Sequence, residues 1–120
     1  MEKKINIHSV GETVNLKTGS CKIDIIGGWG VNLGRFSIIL ENTRDGKKIN
    51  CKRVLLGIQS WNYFNKRSKR IFKADILNSG QYKVQFINSE EVVVRPSNLI
   101  LLSLIQKPLK NESLEIGLSN

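Results

Sequence analysis

The candidates for acid–base or nucleophilic chemistry in this 120-residue chain are five side chains in strand-like runs: His8, Cys21, Cys51, Asp24 and Asp75. A cysteine nucleophile at Cys21 or Cys51 would need the single histidine, His8, beside it as a base. The carboxylates of Asp24 and Asp75 would have to lie within several Å of each other to act as an acid–base pair. All five lie in alternating apolar and polar runs that are typical of ordinary strand positions. We therefore expect no enzyme, no catalytic residue and no cofactor.

The two cysteines carry little other information. They form no CxxC motif, and one histidine is too few for a zinc site, so we expect no metal centre. Both cysteines lie in strand-like runs, which favours two buried, reduced thiols. A disulfide between Cys21 and Cys51 stays open if the protein is exported.

A glycine cluster, GGWGVNLGR at residues 27–35, is the first unusual stretch. A nucleotide-binding loop of this kind requires a helix to follow it, whereas FSIIL at residues 36–40 has the pattern of a strand. Two interpretations remain for Trp29. Either a flexible loop presents the indole to a sugar or a membrane surface, or the ring folds back and caps the end of the domain.

The second unusual stretch is QSWNYFNKRSKR at residues 59–70. In an alternating strand Trp61 and Tyr63 point one way and Phe64 the other, so the three rings do not all enter one core face. Aromatic rings beside arginine and lysine are typical of surfaces for nucleic acids, anionic lipid headgroups or acidic glycans. They are equally typical of aromatic rings that fill one end of the core, followed by a turn whose cations are only solvated. The candidate ligand-binding residues are Trp61, Tyr63, Lys66, Arg67, Lys69 and Arg70, together with Lys52, Arg53 and Trp29.

The net charge of +9 is concentrated in one segment. Between Arg44 and Lys73 there are ten cations and one anion, and the rest of the chain holds nine of each. A concentrated charge can steer an anionic partner. Lysines also protect solvated strand edges from pairing with other chains, so the segment has a purely structural alternative.

Short β-strands must position these residues, because alanine occurs once and no window has a sustained helical apolar period. Turn residues separate the runs, including the Asp-Gly pair at residues 45–46 and Asn-Ser-Gly at residues 78–80, each of which predicts a hairpin. The predicted strands are Lys4–Val10, Glu12–Lys17, Cys21–Ile26, Arg35–Asn42, Lys47–Gln59, Arg70–Leu77, Gln81–Asn88, Glu91–Arg95 and Asn98–Gln106.

The predicted hairpin from Phe72 to Asn88, with its Gly-x-Tyr-x-Val-x-Phe-x-Asn strand, resembles the hairpin of GOLD-type small β-sandwich modules. The resemblance covers about 20 of the 120 residues. It implies a sandwich and an adaptor or binding role. GOLD domains usually accompany a membrane anchor or a coiled coil, and this chain shows neither pattern.

Eight or nine short strands at regular spacing predict an all-β fold, an antiparallel β-sandwich or jelly roll, with a small β-barrel as the alternative. We expect one domain over residues 1–109, and a tail or extra edge strand over residues 110–120. With no apolar run of about 18 residues and no apolar segment after the basic N-terminus, we expect a cytoplasmic location.

The expected function is a non-catalytic binding or assembly module that engages an anionic partner through a basic, aromatic-containing face. The partner is an acidic protein surface first and a polyanion or lipid headgroup second. A nucleic-acid-binding protein is one alternative. A self-assembling structural protein is the other, because Leu99–Ile105 is apolar on both faces and suits a homo-oligomer interface.

Overall fold

The computed structural model describes residues 2–54, 59–62, 66–96 and 107–120. Within them lie two 3-10 turns, Ser89–Glu91 and Asn111–Ser113. The strands are β1 (Glu2–Asn6), β2 (Thr13–Leu16), β3 (Gly19–Ile26), β4 (Gly30–Asn32), β5 (Ser37–Asn42), β6 (Lys48–Asn50), β7 (Lys52–Arg53), β8 (Gln59–Asn62), β9 (Lys66–Ile76), β10 (Gly80–Ile87), β11 (Val93–Arg95) and β12 (Glu115–Ser119).

The strands form three antiparallel sheets. The larger sheet has the order β1-β12-β3-β9-β7, with β8 also pairing with β9. The smaller sheet has the order β2-β10-β5-β6, and β11 pairs with β4 in a two-stranded sheet. Neighbours in the sheets are mostly distant in the chain, so the fold depends on long-range pairing.

Alternation along each strand buries one face of each of the two main sheets. Ile23 and Phe72 from the larger sheet, and Leu40 and Val84 from the smaller one, are each at most 1% exposed and belong to one core cluster. This arrangement confirms the predicted all-β class and is that of a β-sandwich, with one face of each sheet left toward solvent. No closed barrel exists among the described strands.

The predicted turn at residues 43–46 is a hairpin, as expected. It joins β5 to β6, and the Asn42 amide donates to the Lys47 carbonyl across it at 2.8 Å. Gly46 has a φ of 71°, which explains why the turn has glycine at this position.

The predicted hairpin at residues 78–80 is wrong. β9 belongs to the larger sheet and β10 to the smaller one, so this connection carries the chain from one layer of the sandwich to the other. A connection between two layers reverses the chain direction as tightly as a hairpin within one sheet does. Both therefore contain the same kinds of turn residues. The strands of the predicted GOLD-like hairpin are therefore not paired with each other.

The C-terminal strand β12 is an internal strand of the larger sheet. β12 lies between β1 and β3, and its Ile116 and Leu118 are at most 1% exposed. The segment is thus neither a tail nor an edge strand. The predicted strand Asn98–Gln106 lies outside the described residues.

The predicted strand Lys47–Gln59 is divided. β6 pairs with β5 in the smaller sheet and β7 with β9 in the larger one. Cys51 lies where the chain passes from the smaller sheet to the larger one, and its amide donates to the Ile38 carbonyl at 3.0 Å.

The part of the chain that is described has no helix long and apolar enough to cross a membrane.

Candidate functional site

Two of the predicted ligand-binding cations, Arg67 and Lys69, pack onto Trp29 at one end of the sandwich. The guanidinium carbon of Arg67 lies 4.6 Å from the centroid of the Trp29 ring, a cation–π geometry, and the same side chain donates to the Pro96 carbonyl. The Lys69 ammonium lies 3.4 Å from the Trp29 carbonyl oxygen, within hydrogen-bond range. These two cations therefore contact the protein itself.

The loop that carries Trp29 is held closely against its neighbours. Gly27 has a φ of 123° and its amide donates to the Arg67 carbonyl at 2.6 Å. A Cβ atom at Gly28 would collide with the carbonyl oxygen of Arg95. Trp29 is half-buried, with Arg67 over its ring. The Trp29 ring therefore packs against Arg67 of the same protein, and both interpretations of this residue stay predictions.

Arg53 also makes internal contacts. Its guanidinium donates to the carbonyls of Gly34 and Phe36, at 2.5 and 3.0 Å. These bonds connect the edge of the larger sheet to the turn before β5. Arg53 is therefore placed to stabilise the sandwich edge.

Arg70 forms an ion pair with a buried carboxylate. Its Nε lies 3.0 Å from Asp24 Oδ1, and the side chains are 19% and 3% exposed respectively. A β-bulge produces this pairing, because the register of β3 and β9 shifts between Ile23 and Asp24. Without the bulge, simple alternation would place Arg70 on the core side together with Phe72.

Three predicted site residues have no described side chain. Trp61 lies in β8, opposite Arg67 of β9, and Lys66 begins β9. Tyr63 lies outside the described residues. The aromatic half of the predicted site is therefore untested.

The remaining predicted cation, Lys52, belongs to a row of lysines across three neighbouring strands. Lys22 of β3 pairs with Lys73 of β9, and Lys73 pairs with Lys52 of β7. All three side chains are exposed. Adjacent strands are about 4.8 Å apart, so three ammonium-bearing chains emerge along a line of about 10 Å. We call Lys22, Lys73 and Lys52 the lysine row.

The lysine row has no ion-pair partner among the side chains that the structure describes. Like charges directly opposite each other in a sheet are destabilising. Among the described residues no carboxylate lies within salt-bridge distance of any of the three. On the same face the next row along β9 holds one acid, Asp75, opposite Ser20.

The smaller sheet offers a direct comparison. Its corresponding cross-strand row is Thr13, Lys83, Glu41 and Lys48, in which an acid separates the two lysines. Opposite charges alternate there, as sheet stability favours. In the larger sheet the row continues from Lys22 through Ser119 to Glu2, so its acid is two strands from the nearest lysine and no acid separates the three lysines.

An exposed line of ammonium groups can hold carboxylate, sulfate or phosphate oxygens by charge and hydrogen bonding. The predicted site did not contain Lys22, which lies outside the basic Arg44–Lys73 segment, or Lys73 at its end. The alternation of residues 21–26 does place Lys22 outward. Only the register of β3, β9 and β7 shows that the three lysines are neighbours.

The residues considered for catalysis have separate surroundings. The exposed His8 ring shares a hydrogen bond of 2.6 Å with the Asn111 side chain. Asp24 is bound to Arg70, and Asp75 is exposed on β9. No group of three or more potential metal ligands exists among the described residues.

Glu91 orders the turn between β4 and β5. It accepts hydrogen bonds from the Arg35 amide at 2.8 Å and the Arg35 Nε at 2.9 Å. These hydrogen bonds lower the pKa of Glu91 below its usual value. A Cβ at Gly34, whose φ is 55°, would lie 2.6 Å from Glu91 Oε1, so the turn and the carboxylate fit each other closely.

Both cysteines are free thiols. Cys21 pairs with Ala74, and Cys51 precedes Lys52, which pairs with Lys73, so the two cysteines flank Ala74 on different strands. Burial raises the pKa of Cys21 to about 11. Burial, followed by the charge of Cys21, raises the pKa of Cys51 to about 12.

Because thiolate is the reactive form, we expect both thiols of the folded protein to react slowly with Ellman's reagent at pH 8. The pKa of Cys21 lies two units above its usual 9.0, so its thiolate fraction should be about 100-fold lower. Rapid modification of the native protein, at the rate seen in denaturant, would contradict the expected slow reaction.

The raised pKa of Cys21 also makes stability depend on pH. Because the pKa is higher in the folded state, the thiol stabilises the fold below pH 9, and this contribution is lost as the pH rises from 9 toward 11.

Comparison of the chain with protein-family models, with curated proteins and with solved structures finds no match.

Proposed function

We propose that this protein is a non-catalytic binding module whose lysine row engages an acidic surface of another protein. The observation that carries the proposal is the register that places Lys22, Lys73 and Lys52 directly opposite one another. A partner that supplies carboxylates would remove the mutual repulsion of the three ammonium groups. Binding is then favoured by the same charges that cost stability in the free protein.

The distribution of the other cations supports this location. Arg53, Arg67 and Lys69 bond to backbone carbonyls, and Arg70 bonds to Asp24. The lysines of the row have no such contacts within the described part of the chain. The row is therefore the better candidate for an intermolecular contact than the basic stretch at residues 66–70.

The kind of partner follows from what surrounds the row. Single-stranded nucleic acids are usually held by aromatic rings on which bases stack. The described rings are placed elsewhere: Phe72 faces the core, and Trp29 is covered by Arg67. Among the residues that the structure describes, no aromatic ring belongs to the lysine row, and a row of ammonium groups of this kind suits the carboxylates of an acidic protein better.

The test uses poly-L-glutamate as a carboxylate probe and heparin as a sulfate probe. We expect the unaltered protein to bind poly-L-glutamate at low ionic strength, with affinity that falls as salt is added. The triple variant Lys22→Glu, Lys52→Glu, Lys73→Glu should lose this binding. The matched control, Lys17→Glu, Lys107→Glu, Lys110→Glu, makes the same change in net charge at three exposed lysines outside the row.

Retention of binding by the control is the critical result. Equal losses in both triple variants would mean that net charge alone determines binding, and the row would then have no special role. Tight binding to heparin without binding to poly-L-glutamate would replace the acidic protein with a sulfated or phosphorylated polymer. Melting curves of both variants establish that each remains folded.

A further inference from the structure

Asn42 is a buried residue, and the Nδ2 nitrogen of its side-chain amide has no hydrogen-bond acceptor among the described residues. The residue is 7% exposed, and its Oδ1 accepts a hydrogen bond from the Arg44 amide at 2.8 Å. Its Nδ2 donates to no acceptor among the described residues. Other buried polar side chains do have partners: the Ser89 hydroxyl donates to the Ile7 carbonyl at 2.6 Å, and Asp24 is bound to Arg70. Leaving a buried donor unsatisfied is costly, so Nδ2 calls for an acceptor from outside the chain.

This amide lies at a cleft. The turn between β5 and β6, the connection from β9 to β10 and Thr18 together enclose a volume of about 590 Å³. The size is within the usual range of about 300–1,000 Å³ for small-ligand sites. Gly80 lies beside the amide, since a Cβ at this residue would be 3.6 Å from Asn42 Nδ2.

The lining of the cleft contains donors, acceptors and an apolar wall. Arg44 and Asp45 bring opposite charges, and Leu77, which is 79% exposed, brings an apolar surface. The hydroxyl groups of Thr18 and Ser79 lie 3.1 Å apart at the rim. A simple anion would meet the carboxylate of Asp45. A ligand with several hydroxyl groups both donates and accepts, and its C–H face can pack against Leu77.

We infer that this cleft binds a monosaccharide or a sugar unit of similar size, with Asn42 Nδ2 donating to a sugar oxygen. Arg44 and Asp45 supply the further donor and acceptor. The site is separate from the lysine row and does not depend on the proposed function.

The experiment follows amide signals in ¹H–¹⁵N spectra of the full chain while D-glucose, D-galactose, D-mannose or N-acetyl-D-glucosamine is added. At least one sugar should shift the Asn42 side-chain signals and the backbone signals of Arg44 and Ser79. The shifts should saturate with a dissociation constant on the order of 1–10 mM, because a ligand this small makes few contacts.

Two variants test the role of the amide. Asn42→Asp keeps the oxygen that accepts from the Arg44 amide but removes the donor. Gly80→Ala places a methyl group at ordinary contact distance from Nδ2, so it blocks the donor with little expected effect on folding. Each should weaken binding by about tenfold or more, whereas Asn50→Asp, at an exposed position on β6, should leave it unchanged.

The inference is overturned if none of the four sugars gives saturable shifts at the cleft. It is also overturned if a sugar binds the unaltered protein and the Gly80→Ala and Asn42→Asp variants with equal affinity. Spectra with unchanged dispersion outside the cleft show that the variants retain the fold.

Discussion

The variant Arg70→Ala should unfold with a free energy about 3 kcal/mol lower than that of the unaltered protein, because it removes a partner of a buried charge. Asp24 is 2% exposed, and its Oδ1 lies 3.0 Å from the Arg70 Nε. Once the guanidinium is absent, the carboxylate is left with less compensation away from water. Urea unfolding followed by circular dichroism measures the change.

Two comparisons separate this effect from a general loss of charge. Glu12→Gln removes one partner of the more exposed Lys3–Glu12 ion pair, whose atoms are 3.6 Å apart, and should cost at most about 1 kcal/mol. Replacing both Asp24 and Arg70 with leucine should be less destabilising than Arg70→Ala, since buried ion pairs can often be replaced by apolar residues. A loss below about 1 kcal/mol for Arg70→Ala would show that the pair contributes no more than a surface pair.

The second large effect is expected for Phe36→Ala, which should lower the free energy of unfolding by about 3–5 kcal/mol. Phe36 is fully buried and connects the two layers of the sandwich. Its ring centroid is 5.9 Å from that of Phe72 in the larger sheet and 6.1 Å from that of Phe86 in the smaller sheet. Truncation removes contacts to both rings and opens a cavity between the sheets.

Phe36→Leu keeps most of the buried volume and should cost clearly less than Phe36→Ala. Val10→Ala is the exposed control, since Val10 is 97% exposed, and should change stability by less than about 0.5 kcal/mol. Chemical denaturation of the three variants ranks them. Equal stabilities for the two Phe36 variants would show that the cavity does not matter, and stabilities equal to that of the unaltered protein would show that the layers pack independently of this ring.

The alternation of apolar residues was sufficient to predict the all-β class. In the first part of β3, Cys21 and Ile23 are buried and Lys22 is exposed, as a period of two requires, whereas every residue from Ile23 to Ile26 is buried. The hairpin at residues 43–46 followed from local turn chemistry in the same way. These features depend on interactions between residues close in the chain, which the order of amino acids specifies directly.

Two predictions that depended on which strands pair with each other were wrong. The turn at residues 78–80 has the composition of a hairpin, yet it connects two layers. The C-terminal segment is polar enough to suggest a tail, yet Ile116 and Leu118 place it inside the larger sheet. Whether a strand is internal or at an edge is set by residues that are distant in the chain.

The concentration of positive charge between Arg44 and Lys73 follows from residue identities alone. Which of these cations stay free of internal contacts among the described residues depends on how the strands pair in the fold. A bulge between Ile23 and Asp24 directs Arg70 to a buried carboxylate, and cross-strand register brings Lys22 beside Lys73 and Lys52. Charge is a property of residue identity, whereas neighbourhood across a sheet arises from register, and a shift of one residue turns a side chain to the opposite face.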